Sequence, residues 1–256
     1  MPKPTLFRFL SLAMALTLAL PLSGSPAAGA AETLRISTDG DYPPFSFKGD
    51  DGTLIGFDID IANALCAAMA ATCAIEQHPW PELIPDLLAG RSDAIVASMS
   101  ITEERKKQVA FTNHYYRTPM QFVARTGTIT DMTPEALRGK RASAERNTTA
   151  HYYLRDTYSG VLDVRIFPSQ VQAEQALLDG IVDLALADSL VMWRLTKAHP
   201  EVAFVGTPIT VDEGIGIALR PGDGELLARF NQAIVRIRLD GTYARINAKY
   251  FPFSIY

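Results

Sequence analysis

The sequence predicts an α/β protein made of two similar lobes. After about residue 31, short apolar strands alternate with helices, an order that favours mostly parallel sheets. Two segments also repeat each other: residues 87–98, "LLAGRSDAIVAS", and residues 177–188, "LLDGIVDLALAD", share Leu-Leu, Gly, Asp and Ala at matching positions. Each segment joins a helix end, a glycine and a strand. Each strand delivers a polar residue, Ser98 in the first segment and Asp188 in the second, so the repeat predicts two lobes of similar βα design.

The first thirty residues are predicted to be a secretory signal peptide. Lys3 and Arg8 precede an apolar run over about 9–22, and small residues follow up to Ala30. Signal peptides have this order, and it places the cleavage after Ala30 or Ala31. A membrane anchor is the alternative, but it needs about 20 apolar residues and the run is shorter. We therefore expect a protein that is exported to the periplasm.

The charge balance disfavours nucleic acid as a partner. The chain has 24 Lys and Arg against 28 Asp and Glu, and without Lys3 and Arg8 the exported part has 22 basic residues and a formal charge of −6. An acidic surface repels the phosphate backbone of nucleic acids. About 225 residues remain after the signal peptide, which is enough for one large domain or two lobes.

Cys66 and Cys73 are the two cysteines of the sequence, and we expect them to form a disulfide. An even count in an exported chain favours a bridge, with two free thiols as the alternative. The two residues lie at the end of a predicted helix, 56–71, and just beyond it. The bridge would therefore pin the helix C-terminus to the next segment, and the role is structural in either case.

The elements follow one another along the exported chain. In the first helix, Ile61, Leu65 and Met69 have the spacing of four that is typical of a core-facing stripe. Thr102 and Thr133 are predicted N-caps of later helices. The other predicted elements are a short segment at 74–77, helices at 82–90, 146–156 and 168–180, and strands at 93–100, 141–145, 164–167 and 182–188.

Polar residues at the ends of strands in both lobes indicate a ligand cleft, because ligands of open α/β sheets bind outside the carboxyl ends of strands. Ser98, Ser100 and the start of the helix at Thr102 offer donors, and Arg105 can hold a carboxylate with two hydrogen bonds. Asp188 in the other lobe suits an ammonium group. A carboxylate and an ammonium on neighbouring atoms define an α-amino acid. The alternatives are ordinary loop polarity for Ser98 and Asp188, and a solvated charge for Arg105.

Catalytic and cofactor signatures are weak in this sequence. His78, His114, His151 and His199 are far apart and lack the spacing of metal ligands. No nucleophile elbow, P-loop or complete dinucleotide glycine pattern is present. We therefore expect no enzyme activity, no cofactor and no metal.

Four motifs in order resemble those of the family 3 periplasmic solute-binding proteins. These motifs are "STDGDYPPFSF", "GFDIDIANALCAAM", "DAIVASMSITEER" and "LDGTYARINAKYF". Within the family, the chain looks most like the lysine/arginine/ornithine and histidine binding proteins, which have two cysteines at this spacing. The resemblance implies the two-lobed type II binding-protein fold, with lobe 1 at 31–117 and 212–256, lobe 2 at 118–211, and two crossing strands between them. It also implies a monomer that delivers one amino acid to an inner-membrane ABC permease.

By the same resemblance, individual residues acquire expected roles at the amino-acid end of the ligand. Ser98, Ser100 and Arg105 are expected to bind the α-carboxylate. Thr148 from lobe 2 joins them. Asp188 is expected to bind the α-ammonium group.

The resemblance also assigns the side-chain pocket. Asp39 is expected to face the ligand side chain, and Tyr42 and Trp80 are expected to sandwich it between aromatic rings. This sequence departs from the basic amino-acid binders at Ala97 and Ala150, where they have serine and glutamine, and at Glu145, where an apolar residue is usual. An extra acid beside Asp39 favours a cationic ligand, and a solvent-facing position on the lip of the cleft is the alternative for Glu145.

The stretch 37–47, "STDGDYPPFSF", is predicted to be an irregular loop turned over the ligand. Its prolines limit its freedom and so reduce the ordering cost of binding. Asp41 is expected in solvent. Phe45 and Phe47 are expected to pack beneath the loop.

A binder of a cationic amino acid (arginine, lysine, ornithine or histidine) is the leading hypothesis, with arginine favoured because a guanidinium between two rings gains about 1 to 2 kcal/mol of cation–π energy. A binder of another polar amino acid, such as glutamine, is one alternative. A cyclohexadienyl dehydratase-like enzyme on the same fold, with Glu145 as an acid, is the second. A sensory input module is the third.

Overall fold

A computed structural model describes residues 1–5 and 32–256 of the chain. The predicted signal peptide and its cleavage site therefore lie, apart from the first five residues, outside the described residues. Within the described ranges, no helix has both the length and the apolar character needed to cross a bilayer.

The described chain alternates strands and helices along its length. The strands are β1 (Thr33–Thr38), β2 (Asp41–Tyr42), β3 (Ser46–Lys48), β4 (Leu54–Ile55), β5 (Thr72–Gln77), β6 (Ala94–Ile95), β7 (Ala110–Phe111), β8 (Met120–Arg125), β9 (Arg141–Glu145), β10 (Asp163–Phe167), β11 (Leu184–Asp188), β12 (Val202–Ile209) and β13 (Ala218–Leu219). The helices are α1 (Phe57–Ala68), α2 (Leu83–Leu88), α3 (Glu103–Lys106), α4 (Pro134–Leu137), α5 (Thr149–Thr157), α6 (Gln170–Leu178), α7 (Ser189–Ala198), α8 (Gly224–Leu239) and α9 (Thr242–Tyr250).

Two five-stranded sheets form the two lobes. The first has the order β5-β1-β6-β13-β7 and the second has the order β10-β9-β11-β8-β12. The α/β class with two lobes is confirmed. The expectation of mostly parallel sheets is wrong, because each sheet has two parallel pairings and two antiparallel ones. The antiparallel pairings all involve β13 or β8, the strands that directly follow a passage of the chain from one sheet to the other.

Two segments connect the sheets. The chain leaves the first sheet after β7 and enters the second at β8, and it returns between β12 and β13. Tyr116 in the outgoing segment and Ile215 in the returning one pair in an antiparallel bridge. The exact lobe boundaries, 31–117 with 212–256 and 118–211, stay a prediction.

The stretch predicted as an irregular loop contains regular structure. β2 pairs with β3 and β3 with β4, so that Asp41 faces Phe47 across a small antiparallel sheet and is half-buried instead of solvated. Phe45 is fully buried as expected and stacks on Tyr116 at 4.9 Å between ring centres. Gly56 follows this sheet with a φ of 132°, and a Cβ there would lie 2.2 Å from the Phe45 carbonyl oxygen. The glycine is therefore required for α1 to begin against the hairpin.

The predicted disulfide is confirmed. Cys66 in α1 is bonded to Cys73 in β5, and their Cα atoms are 5.8 Å apart. The helix ends at Ala68 instead of the expected position 71, because Ala70 takes a left-handed conformation with a φ of 56°. The bridge thus joins the last turn of a core helix to the edge strand beside it.

The expected strand at 93–100 is also shorter than predicted. Only Ala94–Ile95 pair within the first sheet, although the residues that follow, 96–100, are buried. Ser98 has a φ of 51°, a conformation incompatible with a regular strand. The apolar residues of 93–100 are thus a sign that the segment is buried, and they overestimated the length of the strand.

Candidate ligand-binding site

One cavity between the two lobes brings all the predicted site residues together. The predicted residues that line it are Asp39, Tyr42, Trp80, Ser98, Ser100, Arg105, Glu145, Thr148 and Asp188. Thr149, Ala150, Gln170 and Ala187 complete the lining. The roles of these residues toward a ligand stay predictions.

Arg105 supplies the positive charge of the cavity. Its side chain donates from Nη1 to the carbonyl oxygen of Ser100 at 3.1 Å, and its guanidinium carbon lies 5.1 Å from the centre of the Trp80 ring. Only 9% of the residue is exposed. Burial lowers the pKa of Arg105 to about 10, so the group stays charged at neutral pH. Within residues 32–256 no carboxylate lies within 4.0 Å of its guanidinium nitrogens, which leaves the charge available for an anion.

The helix that begins after Thr102 places Arg105 but is too short to act as a strong dipole. α3 has four residues, and the Thr102 hydroxyl accepts the backbone N–H of Arg105 at 3.3 Å, which confirms the predicted N-cap. In the other lobe, a longer helix, α5, offers backbone N–H donors from residues that line the cavity. Thr149 and Ala150 open α5 and line the cavity, so their backbone N–H groups belong to the free first turn of a longer helix.

Thr148 caps that helix, and its hydroxyl already donates one hydrogen bond and accepts another. Its hydroxyl donates to the Glu145 carbonyl oxygen at 2.8 Å and accepts the backbone N–H of His151 at 3.2 Å. Thr148 therefore holds the first turn of α5 in place beside the cavity.

Ser98 is tied to a buried carboxylate that the sequence reasoning missed. Its hydroxyl donates to Asp58 Oδ2 at 2.9 Å, and the Tyr115 hydroxyl donates to Asp58 Oδ1 at 2.8 Å. Burial raises the pKa of Asp58 to about 6, and these two bonds oppose that shift. The Ser98 hydroxyl thus has lone pairs, but no free proton, to offer a ligand. The sequence feature that could have revealed Asp58 is its position as the first acid of the "GFDID" motif, at the start of a core helix.

Asp188 lies where β11 ends and α7 begins, and it makes a bond across the cleft. The hydroxyl of Tyr42 in the first lobe donates to Asp188 Oδ2 at 2.7 Å. Burial raises the pKa of Asp188 to about 7, and the bond from Tyr42 opposes the shift. Oδ1 is the oxygen left for a cationic group.

Asp39 and Glu145 place two further carboxylates in the same cavity. Asp39 is 6% exposed and Glu145 is 2% exposed, so the alternative of a solvent-facing Glu145 is wrong. Asp39 Oδ2 and Glu145 Oε1 have no hydrogen-bond partner among the described residues. Burial, followed by repulsion from Asp41, raises the pKa of Asp39 to about 6. Burial, followed by repulsion from Asp39, raises the pKa of Glu145 to about 9.

The remaining predicted wall residue is Trp80, in a short 3₁₀ turn, Trp80–Glu82. Its ring lies over Arg105, and both Trp80 and Tyr42 line the cavity. The sandwich of a ligand side chain between the two rings stays a prediction. Gln170, which the sequence reasoning missed, is buried and donates to Glu174 Oε1 at 3.2 Å, and no motif had marked it. Within the described ranges, no group of three or more potential metal-ligating side chains is clustered for a metal ion.

Two α/β lobes joined by two crossing segments, with a buried polar cavity between them, define a solute-binding protein. The family model for bacterial extracellular solute-binding proteins, family 3, matches residues 34–253, and the chain belongs to this family. The predicted family is thereby confirmed.

Characterised relatives match almost the whole chain. The L-arginine-binding protein of Pseudomonas aeruginosa (strain PAO1) is 42% identical over 254 residues, which cover 96% of this chain and 98% of the relative. The lysine/arginine/ornithine-binding periplasmic protein of Escherichia coli (strain K12) is 34% identical, with 96% and 97% covered. An ancestral arginine-binding protein bound to arginine has a similar structure, with a TM-score of 0.80, 34% identity and coverage of 86% of this chain and 98% of that one. These relatives are named as binding proteins.

Proposed function

We propose that the protein binds a free cationic α-amino acid, arginine in particular, between its lobes and delivers it to an ABC permease. The observation that carries the proposal is the pair of buried carboxylates, Asp39 and Glu145, each with an oxygen that lacks a partner among the described residues. Buried polar atoms without partners are destabilising, so a site that contains two of them fits a ligand that satisfies both. The names of the relatives support the same ligand class.

The amino-acid end of the ligand is recognised by opposite charges from the two lobes. Arg105 in the first lobe binds the α-carboxylate through its planar fork, and the N–H groups of Thr149 and Ala150 add donors from the second lobe. Asp188 binds the α-ammonium through Oδ1. The Ser98 hydroxyl, which the sequence assigned to the α-carboxylate, accepts from the ammonium instead, because its proton is already donated to Asp58. Both lobes thus contact the backbone atoms of one ligand.

The charge of the cavity selects a cationic side chain. Arg105 contributes one positive charge, whereas Asp39, Asp188 and Glu145 contribute up to three negative ones. The α-carboxylate and α-ammonium of any amino acid cancel each other, so they leave this excess of negative charge in the cavity unchanged. A cationic side chain beside Asp39 and Glu145 reduces it, and in a buried site this attraction is stronger than at a surface.

A guanidinium fits these two carboxylates better than an ammonium group does. It presents five N–H donors in one plane, so it can bond Asp39 and Glu145 at the same time, and its flat faces can contact the rings of Tyr42 and Trp80. Ala150 lines the cavity and leaves room for the longer side chain, whereas Ala97 packs in the core of the first lobe and does not line the cavity. Lysine and ornithine offer a point charge with three donors and are expected to bind more weakly.

Calorimetry with purified protein, freed of bound ligand by unfolding and refolding, tests the proposal. Arginine should bind most tightly, lysine and ornithine more weakly, and glutamine and glutamate least. Mass spectrometry of the ligand released from freshly purified protein gives an independent answer. Binding of glutamate or glutamine alone would refute the cationic ligand.

An enzyme of the cyclohexadienyl dehydratase type is the second candidate, and the buried acid Glu145 is the observation that favours it. A carboxyl group with a pKa of about 9 can serve as a general acid at neutral pH. The neighbouring carboxylates Asp39 and Asp188 oppose this function, because they repel a dianionic substrate such as prephenate. Turnover of prephenate or arogenate above background would establish the enzyme.

The periplasm is the proposed location, and an inner-membrane permease is the proposed partner. The predicted signal peptide and the family of extracellular solute-binding proteins support both. Osmotic-shock fractionation tests the location. Gel filtration with light scattering tests the proposed monomer, and stimulation of a permease's ATPase activity by the arginine-loaded protein tests the partner.

A further inference from the structure

Asn147 has a backbone conformation that few residues other than glycine adopt. It lies between β9 and α5 with a φ of 61°. Local bonds hold it there: its N–H donates to His151 Nδ1 at 3.1 Å, and its side-chain Oδ1 accepts from the Tyr152 hydroxyl at 3.4 Å. Asparagine tolerates this region better than most side chains do.

The left-handed turn presents the Asn147 carbonyl oxygen to the first lobe. Trp80 Nε1 donates to it at 3.2 Å, and Arg105 Nη2 donates to it at 3.4 Å. A carbonyl oxygen has two lone pairs, so it can accept both bonds at once. Because the Arg105 guanidinium lies over the Trp80 ring, the two donors approach as one stacked unit.

These three residues lie where the ligand cavity meets a second, larger space. Trp80, Arg105 and Thr149 line both the cavity and an outer groove, and Asn147 lines the groove. The contact between the lobes thus lies at the border between the two spaces. The contact therefore closes one side of the cavity.

We propose that the Asn147 carbonyl is a latch: it accepts Trp80 and Arg105 across the cleft, holds the lobes closed, and limits the rate at which ligand leaves. Arg105 then has two roles: its guanidinium binds the ligand carboxylate, and its Nη2 also donates to the Asn147 carbonyl oxygen in the opposite lobe. This inference rests on the proposed function only in requiring that a ligand occupies the cavity. Asn147 itself is a positioning residue that touches no ligand.

Variants of Asn147 separate the role of its backbone from that of its side chain. Asn147→Gly keeps the left-handed turn and the carbonyl but removes the side-chain bond to Tyr152, so ligand release should stay within about twofold of wild type. Asn147→Val disfavours the turn and should accelerate release about tenfold, and Asn147→Ala, a milder change, should give an intermediate rate. If Gly is as damaging as Val, the side chain is responsible and the latch is refuted.

Trp80→Phe tests the other half of the contact. It keeps a ring over Arg105 but removes the indole N–H, and it should also accelerate release about tenfold, the effect of losing one closing hydrogen bond. In the double variant with Asn147→Val, the two effects should not multiply, because Asn147→Val already displaces the carbonyl oxygen that accepts from Trp80. Multiplying effects, or a Trp80→Phe release rate equal to wild type, would overturn the latch.

Release is measured by diluting protein loaded with radiolabelled arginine into excess unlabelled arginine, after thermal unfolding has shown that each variant folds. The association rate should change less than twofold. Small-angle X-ray scattering of the ligand-free proteins at pH 5, where the raised pKa values keep the cleft carboxyls mostly neutral so that they do not oppose closure, provides a second measurement. Asn147→Val should increase the radius of gyration and Asn147→Gly should not. If arginine fails to bind wild type, the proposed function has failed, and the scattering comparison alone supports or refutes the latch.

Discussion

Replacing Glu145 with glutamine should stabilise the ligand-free protein. The carboxyl is 2% exposed, its Oε1 has no partner among the described residues, and burial followed by repulsion from Asp39 raises its pKa to about 9. In the unfolded chain the group has the ordinary value of 4.5. At neutral pH the folded protein therefore holds a proton that the unfolded chain releases to water, and this difference favours unfolding.

The expected magnitude follows from proton linkage. Between pH 4.5 and 9 the folded state binds the extra proton, so the free energy of unfolding falls by about 1.4 kcal/mol per pH unit as the pH rises. At pH 7 the accumulated loss is about 3 kcal/mol, an upper value. Glutamine has the shape of the protonated acid and does not titrate. Glu145→Gln should therefore recover up to this amount at pH 7 and almost nothing at pH 4.

Urea denaturation followed by circular dichroism, from pH 4 to pH 9 on ligand-free protein, measures the effect. Glu135→Gln is the matched control, because Glu135 is exposed and in the same lobe, and it should change the curve little at any pH. Equal dependence on pH in wild type and Glu145→Gln would contradict the reasoning, since it would mean that Glu145 is ionised in the folded ligand-free state.

Three other predictions follow from the same structure. Asp188→Asn keeps an acceptor for Tyr42 but removes the charge for the α-ammonium, and calorimetry should show arginine binding weakened at least about 100-fold; a loss below tenfold contradicts the assignment. Burial raises the pKa of Asp39 to about 6 and that of Asp188 to about 7, and a bound cation lowers both pKa values. Arginine affinity should therefore rise from pH 5 to pH 8, and binding should release protons. Calorimetry in two buffers of different ionisation enthalpy measures this release. If arginine binding releases no protons, this coupling is refuted. Cys66→Ser with Cys73→Ser should lower the free energy of unfolding by about 2 kcal/mol without changing arginine affinity, and a changed affinity would mean that the bridge positions the site.

The parts of the fold that depend on residue pattern could be predicted from the sequence. The alternation of strands and helices predicted the α/β class, and the repeat ending at Ser98 and Asp188 predicted two lobes with a cavity between them. Thr102 was correctly predicted as an N-cap because a cap depends only on local residues. These features are set by contacts within a few residues or by periodicity along the chain.

The parts that depend on distant contacts could not be predicted. Asp58 looked like an ordinary acid in the first turn of a helix, and only the fold brings Ser98 and Tyr115 to it. The hairpin after β1 was missed because its strands have two or three residues, too few for a pattern to emerge. The burial of Glu145 was likewise open, since a solvent-facing position fits the same sequence.

The position of the charges explains why a cation and closure of the cleft belong together. Asp39 and Arg105 lie in the first lobe and Glu145 and Asp188 in the second, so closure brings three carboxylates and one guanidinium into a single buried space. Without a ligand, the raised pKa values show that this space favours neutral acids, which makes closure unfavourable at higher pH. A cationic amino acid supplies the missing positive charge, and each carboxylate that ionises then attracts it. The same groups that oppose closure of the empty cavity therefore favour closure around the ligand, and this reversal of sign is what distinguishes a cation from a neutral amino acid of the same shape.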